Sequence, residues 1–242
     1  MKILYDNPIK ITIYFSLFVQ IITTLISYDG LYYQLNDTDK ILQDILSLEV
    51  VVQIIEASFY IWVMFALSNL ESMTPRRYID WVITTPTMLL STIIFMKYQE
   101  YKETNKNVNI KFFDFLRDNQ SNITKIFIYN ALMLLFGFLG ETNMIDKKIS
   151  ISIGFVFFYL SFNTIYNEYA KKSIEGTQLF KFLITVWGLY GIAAMLDVKT
   201  KNISYNLLDI ISKNFYGLFI YYKVIKQSKY YKKGKNEIPG LI

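Results

Sequence analysis

The chain has 242 residues, of which 53% are hydrophobic and 17% aromatic, and its mean hydropathy is +0.27. A composition this apolar, with only 10 Gly and 4 Pro, favours a membrane protein over a soluble domain. The sequence contains no cysteine and no histidine, which excludes disulfides and removes the commonest metal ligand and general base, so we predict neither an enzyme nor a metal site.

Seven segments are long and apolar enough to cross a bilayer as helices, which requires about 20 residues each. In chain order they cover residues 9–28, 42–70, 75–98, 122–140, 149–170, 176–197 and 203–227. We therefore predict an all-α, multi-pass membrane protein, a bundle of seven transmembrane helices embedded in a lipid bilayer. Its single domain covers residues 1–227, and residues 228–242 form a basic tail.

The distribution of lysine and arginine predicts the orientation, because positively charged connections stay on the cytoplasmic side. The third-to-fourth connection, the fifth-to-sixth connection and the C-terminal tail are rich in lysine, and seven spans place all three on one side. We expect a cytoplasmic C-terminus and an outside N-terminus, although the acidic connection "YDGLYYQLNDTDK" runs against the rule. Within the third connection, "VNIKFFDFLRD" predicts a short amphipathic helix. The tail indicates a solvated segment and no nucleic-acid binding.

The second segment carries an acidic face. In "LEVVVQIIEASFY", Glu49, Gln53 and Glu56 are spaced at i, i+4 and i+7, so they share one side of a helix. Acidic side chains are expensive inside a membrane. This row is therefore either a polar seam that packs one helix against another or a lining that attracts and passes cations.

The third and sixth segments add polar and aromatic residues at helical spacing. In "PRRYIDWVITTPTMLLS", spacings of three, four and seven place four polar residues along one face. In the sixth segment, "WGLY" supplies two rings large enough to wall a flat ligand. The residues concerned are Arg77, Asp80, Thr84 and Ser91 in the third segment and Trp187 and Tyr190 in the sixth.

The last segment, "LLDIISKNFYGLFIYY", places two opposite charges in an apolar run. Asp209 and Lys213 are four residues apart and therefore lie on one helix face. Two interpretations stay open at this point. The pair is either a structural ion pair that joins helices, or a lysine that forms a Schiff base with a carbonyl ligand and keeps the aspartate as its counter-ion.

Together, "RYIDWVITTP" and "LDIISK" resemble the signature of the microbial (type 1) rhodopsins, and the resemblance covers nearly the whole chain. It implies that Lys213 carries all-trans retinal as a protonated Schiff base. It also implies that Asp80 and Asp209 are the counter-ions, with Arg77 below them. This chemistry is a reason for a membrane helix to keep a lysine at its centre.

The same resemblance implies the pocket around the chromophore. A long conjugated apolar chain needs aromatic walls, and the family's pattern supplies them from three segments. Gly191 departs from that pattern, because many pumps have proline after the tyrosine. The implied pocket residues are Trp81, Thr84, Thr85 and Met88 of the third segment, Asn130, Met133 and Gly137 of the fourth, and Trp187 and Tyr190 of the sixth.

Polar residues along the transport path distinguish functions within this family. Proton pumps usually have a carboxylate donor where this chain has Ser91, and often an acidic release group where it has the lysines of "VKTKNISY". Channelrhodopsins have a glutamate row on the second helix and an asparagine after the retinal lysine, which Glu56 and Asn214 match. The resemblance to those channels implies a gate formed by Ser16, Glu56 and Asn214. The cysteine–aspartate pair of the algal channels is replaced by Thr85 and Asn130.

The polar pattern of the third segment, the short connection "NLESMTP" and the acids of the second segment resemble the viral rhodopsins of giant algal viruses, whose group 1 members are regarded as light-gated cation channels. We predict such a channel for Na⁺, K⁺ and H⁺, located in a host cell membrane if the gene is viral, and compatible with a homo-oligomer. A light-driven outward proton pump is the first alternative and a sensory photoreceptor the second. The predicted pore follows spans one, two, three and seven and is lined by Ser16, Glu49, Gln53, Glu56, Ser91 and Asn214.

Overall fold

The computed structural model describes residues 8–65 and 73–236, and these residues are almost entirely helical. Short 3₁₀ turns follow the first helix, precede the second and follow the sixth, and a π-helical turn, Ile210–Asn214, joins the last two. The α-helices of the described residues are α1 Pro8–Asp29, α2 Ile41–Phe65, α3 Met73–Glu103, α4 Phe112–Asp118, α5 Gln120–Glu141, α6 Lys147–Glu168, α7 Ile174–Ala193, α8 Val198–Asp209 and α9 Phe215–Asn236.

These elements form seven rods, because α8, the π-helical turn and α9 run on continuously as the seventh. The predicted seven-helix bundle is confirmed. The short α4 lies in the third connection where an amphipathic helix was predicted, with Phe115 buried and Phe113 exposed. Helix α9 continues to Asn236, into the predicted tail, whereas residues 237–242 lie outside the described part. The same holds for residues 66–72, which include the end of the predicted second span.

Five of the described helices are long and apolar enough to cross a membrane: Pro8–Tyr32, Asp37–Phe65, Met73–Glu103, Gln120–Glu141 and Lys147–Lys172. The predicted sixth and seventh spans do not reach the same hydropathy. Helix α7 contains Glu175 and Lys181, and the seventh rod contains Asp209, Lys213 and a lysine-rich end. Asp209 and Lys213 are buried, and they can be accommodated because a bundle shields the inner face of each helix from lipid.

The bundle is apolar outside and partly polar inside. On α1, Phe18 and Leu25 are 62% and 66% exposed. The opposite face of α1 buries a row of polar residues at helical spacing, and α2 buries the acidic face that the sequence predicts. Such an arrangement suits a membrane, where lipid covers apolar side chains and polar groups turn to the interior. The buried polar residues of the two helices are Ser16, Gln20, Thr23 and Ser27 of α1 and Glu49, Gln53 and Glu56 of α2.

We call the end where α1 begins the N-terminal end of the bundle and the end where α9 finishes the C-terminal end. Seven rods place these two ends on opposite sides. The largest apolar core cluster includes Ile45 of α2, Phe95 of α3 and Ile220 of α9 and therefore lies in the C-terminal half. The smaller clusters around Tyr60 and Trp81 lie toward the N-terminal end.

Candidate functional site

Lys213 is the centre of a buried charge cluster. It lies on the π-helical turn with its ammonium in the bundle interior. Its Nζ is 2.7 Å from Oδ2 of Asp80 on α3, 2.9 Å from Oε1 of Glu56 on α2 and 3.8 Å from Oδ1 of Asp209. Three acids on three elements thus converge on one nitrogen. Buried charges are tolerated when they are paired in this way.

A second cation holds Asp209 from the other side. Nη1 of Arg77 is 3.0 Å from Oδ2 of Asp209, and the hydroxyl of Tyr60 donates to the same oxygen at 2.7 Å. The hydroxyl of Tyr190 donates to Oδ1 of Asp209 at 2.7 Å, and Arg77 donates to the side-chain oxygen of Asn206. Asp209 is therefore shared among several donors, whereas Asp80 is the nearer carboxylate to Lys213.

A largely apolar cavity extends from Lys213 toward α5, α6 and α7. Together with its open mouth, it encloses about 820 Å³. Its walls carry several aromatic rings, and its inner end is a buried primary amine that faces carboxylates. Most of the residues implied by the family resemblance line this cavity, namely Trp81, Thr85, Met88, Met133, Gly137, Trp187, Tyr190 and Lys213.

Helix α6 supplies a wall that the sequence analysis did not assign. The spacing of its lining residues, at i, i+1, i+4, i+5 and i+8, is the signal that was available, since these positions share one helical face. The rings of Phe158 and Phe162 pack with their centroids 4.5 Å apart, and Phe162 also contacts Trp187. The lining residues of this helix are Ser150, Ile151, Gly154, Phe155 and Phe158.

Gly191 allows α6 and α7 to approach closely. A Cβ atom at this position would lie 2.4 Å from Cζ of Phe155, a distance that cannot be accommodated without moving the ring. The glycine that departs from the family's proline therefore makes room for Phe155 in the cavity wall. Gly137 does the same on α5, where a Cβ atom would lie 2.7 Å from the hydroxyl of Tyr78.

Two implied pocket residues lie behind the cavity wall instead of lining it. Nδ2 of Asn130 donates to Oγ1 of Thr85 at 2.8 Å, which joins α5 to α3. The hydroxyl of Thr84 donates to the backbone oxygen of Asp80 at 3.0 Å and lies 3.5 Å from its carboxylate. Both side chains are buried, so they position the wall and Asp80.

Among the described residues, the three members of the predicted gate, Ser16, Glu56 and Asn214, are not hydrogen-bonded to one another. Ser16 donates to the backbone oxygen of Asn206 at 2.8 Å, so it is engaged elsewhere. Gln20 takes its place: it donates to Oε2 of Glu56 at 2.6 Å and accepts from Nδ2 of Asn214 at 2.7 Å. Gln20 lies one turn further along α1 than Ser16, at the level of Lys213. Its longer side chain joins Glu56 of α2 to Asn214 of the π-helical turn.

On the C-terminal side of Lys213, the other members of the acidic face have few partners. Oε1 of Glu49 accepts a hydrogen bond from the hydroxyl of Ser91, while its Oε2 has no partner among the described residues. Neither amide atom of Gln53 has one either, although the side chain is fully buried. Gln53 occupies the space left by Gly217, where a Cβ atom would lie 2.1 Å from its Nε2. Buried polar atoms of this kind are normally satisfied by internal water.

The N-terminal end contains an acid that the sequence analysis did not place there. The lysines of "VKTKNISY" predict an acid-free end of the last span, but the carboxylate of Glu141 on α5 forms an ion pair with Lys201. Both side chains are almost completely buried. Spacing along one helix could not reveal this pair, because its members are 60 residues apart.

Comparison with known proteins identifies the class to which this fold and site belong. A family model described as bacteriorhodopsin-like protein matches residues 11–227. Because this match covers most of the chain, the chain belongs to the bacteriorhodopsin-like family of microbial rhodopsins. Members of this family bind retinal, which is therefore the cofactor of this chain.

Individual relatives agree with this assignment. The crystal structure of viral rhodopsin OLPVRII is 27% identical, with a TM-score of 0.76 over 90% of this chain and 98% of that one. Green-light absorbing proteorhodopsin from Gamma-proteobacterium EBAC31A08 is 23% identical over 176 residues, 65% of this chain and 64% of its own length. Bromide-bound halorhodopsin from Halobacterium salinarum shares only the fold, at 12% identity and a TM-score of 0.70 over 92% and 95% of the two chains. Rhodopsins with as little as 12% identity to this chain therefore share its architecture.

Proposed function

We propose that the protein is a light-gated cation channel that carries all-trans retinal on Lys213. The cavity described above supports the attachment, because its walls are aromatic and its inner end is the buried amine of Lys213. When bound, retinal supplies the absorption of light and a change of shape next to this nitrogen. Asp80, at 2.7 Å, would be the principal counter-ion, and Asp209 the second, steadied by Arg77 and Tyr60.

One observation carries the channel proposal: a polar seam, formed by nine buried side chains of α1, α2, α3 and the seventh rod, passes Lys213. Acidic and amide groups in such a position attract cations and replace part of their hydration shell. Several atoms of the seam have no partner in the part of the chain that the structure describes and would be hydrated. The seam consists of Ser16, Gln20, Thr23, Ser27, Glu49, Gln53, Glu56, Ser91 and Asn214.

Glu56 links the light reaction to this seam. Its Oε1 contacts Lys213 at 2.9 Å, and its Oε2 accepts from Gln20 at 2.6 Å. A movement at Lys213 therefore pulls on the bridge from Glu56 through Gln20 to Asn214. We propose that this bridge is the closed gate in the dark, and that breaking it joins the hydrated parts of the seam.

The orientation and location belong to the same proposal. The lysine-rich connections favour a cytoplasmic C-terminal end and an outside N-terminal end. The similarity to a viral rhodopsin leads us to propose that the protein functions in a host cell membrane. The acids of the seam favour Na⁺, K⁺ and H⁺ as the transported ions.

Voltage-clamped photocurrents in a retinal-supplied cell test the proposal. A channel conducts down the electrochemical gradient, so the photocurrent should reverse sign at a potential set by the ions. The reversal potential should move when external Na⁺ or K⁺ is replaced by a large organic cation. An outward current at every voltage, insensitive to this replacement, would refute the channel, because moving one charge against 100 mV requires only about 2.3 kcal/mol, which a photon readily provides.

A specific observation favours a light-driven outward proton pump as the second candidate. The carboxyl of Glu49 contacts Ser91, the position where pumps usually have their donor, and Glu141 lies at the opposite end next to Lys201. Both acids come from helices other than those in which the sequence analysis looked for them. Light-driven acidification of the medium by cells, abolished by a protonophore, would support this candidate.

A further inference from the structure

We propose that the C-terminal end of the bundle carries a binding site for the headgroup of one anionic phospholipid. The site is a cleft beside the last turn of α3, facing the connection between α1 and α2. Together with its open mouth, the cleft encloses about 500 Å³. The residues that line it are different from those that line the retinal cavity, so the inference does not depend on retinal or on the proposed channel. The lining includes Thr38, Tyr101, Lys102, Lys106, Asn107 and Val108.

The cleft lies at the level of the lipid headgroups. Helix α3 has 31 residues and is therefore about 46 Å long. A bilayer with its headgroup regions is about 40–45 Å thick, so the last turn of α3 reaches the headgroups on the C-terminal side. The amphipathic α4 follows, and its Phe113 is 80% exposed, as expected of a ring that lies in the membrane interface. Phospholipid is therefore the anion that surrounds the cleft at the highest concentration.

One lysine of the cleft has no compensating acid. None of the described residues that line the cleft is acidic, and Oδ1 of the nearby Asp39 accepts from Nζ of Lys102 and from the hydroxyl of Tyr98, both at 2.7 Å. Lys106 belongs to none of the ion pairs that the described residues form, and its Nζ lies 5.7 Å from the ring centroid of Tyr101. The cleft thus presents one uncompensated positive charge, which matches the single negative charge of a phosphodiester. The other acids nearby are engaged elsewhere: Asp37 with Lys40, Glu100 with Lys97, and Glu103 with the backbone nitrogens of Ile174 and Glu175.

The turn after α3 places this lysine in the cleft. Asn105 has a φ of 53°, in the left-handed region that commonly ends a helix. The backbone nitrogen of Lys106 donates to the oxygen of Tyr101 at 2.9 Å, and that of Asn105 donates to the oxygen of Lys102 at 3.2 Å. This Schellman pattern supplies donors to two of the last carbonyl groups of α3. These oxygens therefore do not compete with an anion for the ammonium of Lys106.

The groups of the cleft suit a phosphodiester that is joined to a hydrocarbon chain. Lysine binds phosphate as a point charge, and the carboxamide of Asn107 and the hydroxyl of Thr38 can donate to its oxygens. Val108 is 42% exposed and offers apolar contact to the glycerol and the first carbons of an acyl chain. A zwitterionic headgroup would bring its own ammonium next to Lys106 and is disfavoured. In the proposed orientation, the C-terminal end faces the cytoplasmic leaflet, whose surface is negatively charged.

Native mass spectrometry of the full-length protein in detergent, titrated with phosphatidylglycerol, tests this site. The first phosphatidylglycerol should bind about fivefold more tightly than phosphatidylcholine, which corresponds to the contribution of one lysine at an anionic membrane surface. Lys106→Gln should abolish this preference and Lys106→Arg should keep it. Lys106 is exposed, so neither substitution disturbs the packed interior. Lys111→Gln is the matched control, because it removes an exposed lysine of the same connection that does not line the cleft, and it should bind like the parent.

Three outcomes would overturn the inference. The first is equal affinity of the parent for phosphatidylglycerol and phosphatidylcholine. The second is an equal loss in Lys106→Gln and Lys111→Gln, because only the overall charge of the surface would then matter. The third concerns the source of the phosphate: glycerol 3-phosphate should displace phosphatidylglycerol only weakly, and displacement with the affinity of the lipid would assign the cleft to a soluble phosphate compound. The binding measurement uses neither light nor a photocurrent, so its failure would leave the proposed channel untouched, and a photocurrent without reversal would leave the lipid site untouched.

Discussion

The two sides of Lys213 differ in how their buried polar groups are satisfied. Toward the N-terminal end, Arg77, Tyr60, Asn206 and Asp209 bind one another directly, with contacts of 2.7 to 3.5 Å among them. Toward the C-terminal end, Gln53 and one oxygen of Glu49 have no partner among the described residues. Within this group only Nε of Arg77 has no partner among the described residues, so direct protein hydrogen bonds close the first side. The atoms of the second side are of the kind that internal water satisfies, and this is the side along which we propose that ions move.

The largest effect is expected from removing the nitrogen that both sides share. Lys213→Ala should express and insert in the membrane but remain colourless with added retinal, because the cavity has lost its amine. The measurement is visible absorption of the purified protein, with Lys223→Ala as the control, since that lysine pairs with Glu175 away from the cavity. A visible band in Lys213→Ala would contradict the attachment.

The next largest effect is expected from removing the counter-ion of Lys213, for which Asp80, Asp209 and Glu56 are the three candidates. Asp80→Asn should shift the visible absorption to the red. The substitution removes the nearest negative charge, so the positive charge on the nitrogen is less stabilised than in the parent. Asp209→Asn should shift it less, since its oxygen is 3.8 Å away and Arg77 shares it. For scale, a charge pair at 4 Å is worth about 4 kcal/mol at an effective dielectric of 20. Equal spectra for Asp80→Asn and the parent would assign the counter-ion to Asp209 or Glu56.

The proposed gate lies between these two sides, and substitution of Gln20 tests it. Gln20→Ala removes two side-chain hydrogen bonds, each worth about 1 kcal/mol. We expect a current in the dark or slower closing after light, measured under voltage clamp. Ser16→Ala is the matched control on the same helix face and should close like the parent, because Ser16 bonds Asn206 and not the bridge. The opposite result would restore Ser16 to the gate.

Substitution of Gln53 tests whether the acidic face of α2 lines a hydrated path or only packs against other helices. Gln53→Leu removes an amide that has no partner within residues 8–65 and 73–236, so thermal stability should rise or stay level while the photocurrent falls. In the control, Gln43→Leu on the same helix, the lost amide donates to the backbone oxygens of Leu31 and Tyr33, so stability should fall by about 1–3 kcal/mol. An unchanged photocurrent in Gln53→Leu would mean that the acidic face of α2 only packs helices.

The sequence was sufficient for the architecture and for the chemistry that lies on single helices. Apolar length predicted the seven rods, and the motif around Asp80 and Lys213 predicted the acids next to the nitrogen. The sequence could not predict which side chains of different helices contact one another. The direct contact of Glu56 with Lys213 and the contact of Glu49 with Ser91 depend on the rotation of α2 relative to its neighbours. Spacing within α2 shows that its acids share a face but not what that face touches.

The gate shows how small this missing information can be. Ser16 and Gln20 are one turn apart on the same buried face of α1, so a sequence pattern treats them alike. The helix shift that decides between them is about 6 Å along the axis. The α6 wall of the cavity was missed for a different reason: its residues share one helical face, but they are ordinary apolar and small ones, and no charged residue marks that face as the inner one.

The smallest effect is expected at the entrance to the closed side, where Asp197 caps α8. Its Oδ1 accepts from the backbone nitrogens of Lys199 and Thr200 at 3.0 and 3.1 Å. Hydrogen bonds from Thr200 hold the pKa of Asp197 below its usual range. Because the folded-state pKa is depressed, the cap stabilises the protein at neutral pH and is lost as the pH falls through that lowered value.

Asp197→Ala should lower Tm by about 2 °C at neutral pH. Asp197→Asn should keep the cap at every pH, so the part of the acid sensitivity that comes from Asp197 should disappear in this variant. Thermal unfolding followed by circular dichroism, between neutral pH and pH 3, is the measurement. An identical pH dependence of Tm in Asp197→Asn and the parent would mean that the capping carboxylate contributes nothing to the stability of the closed side.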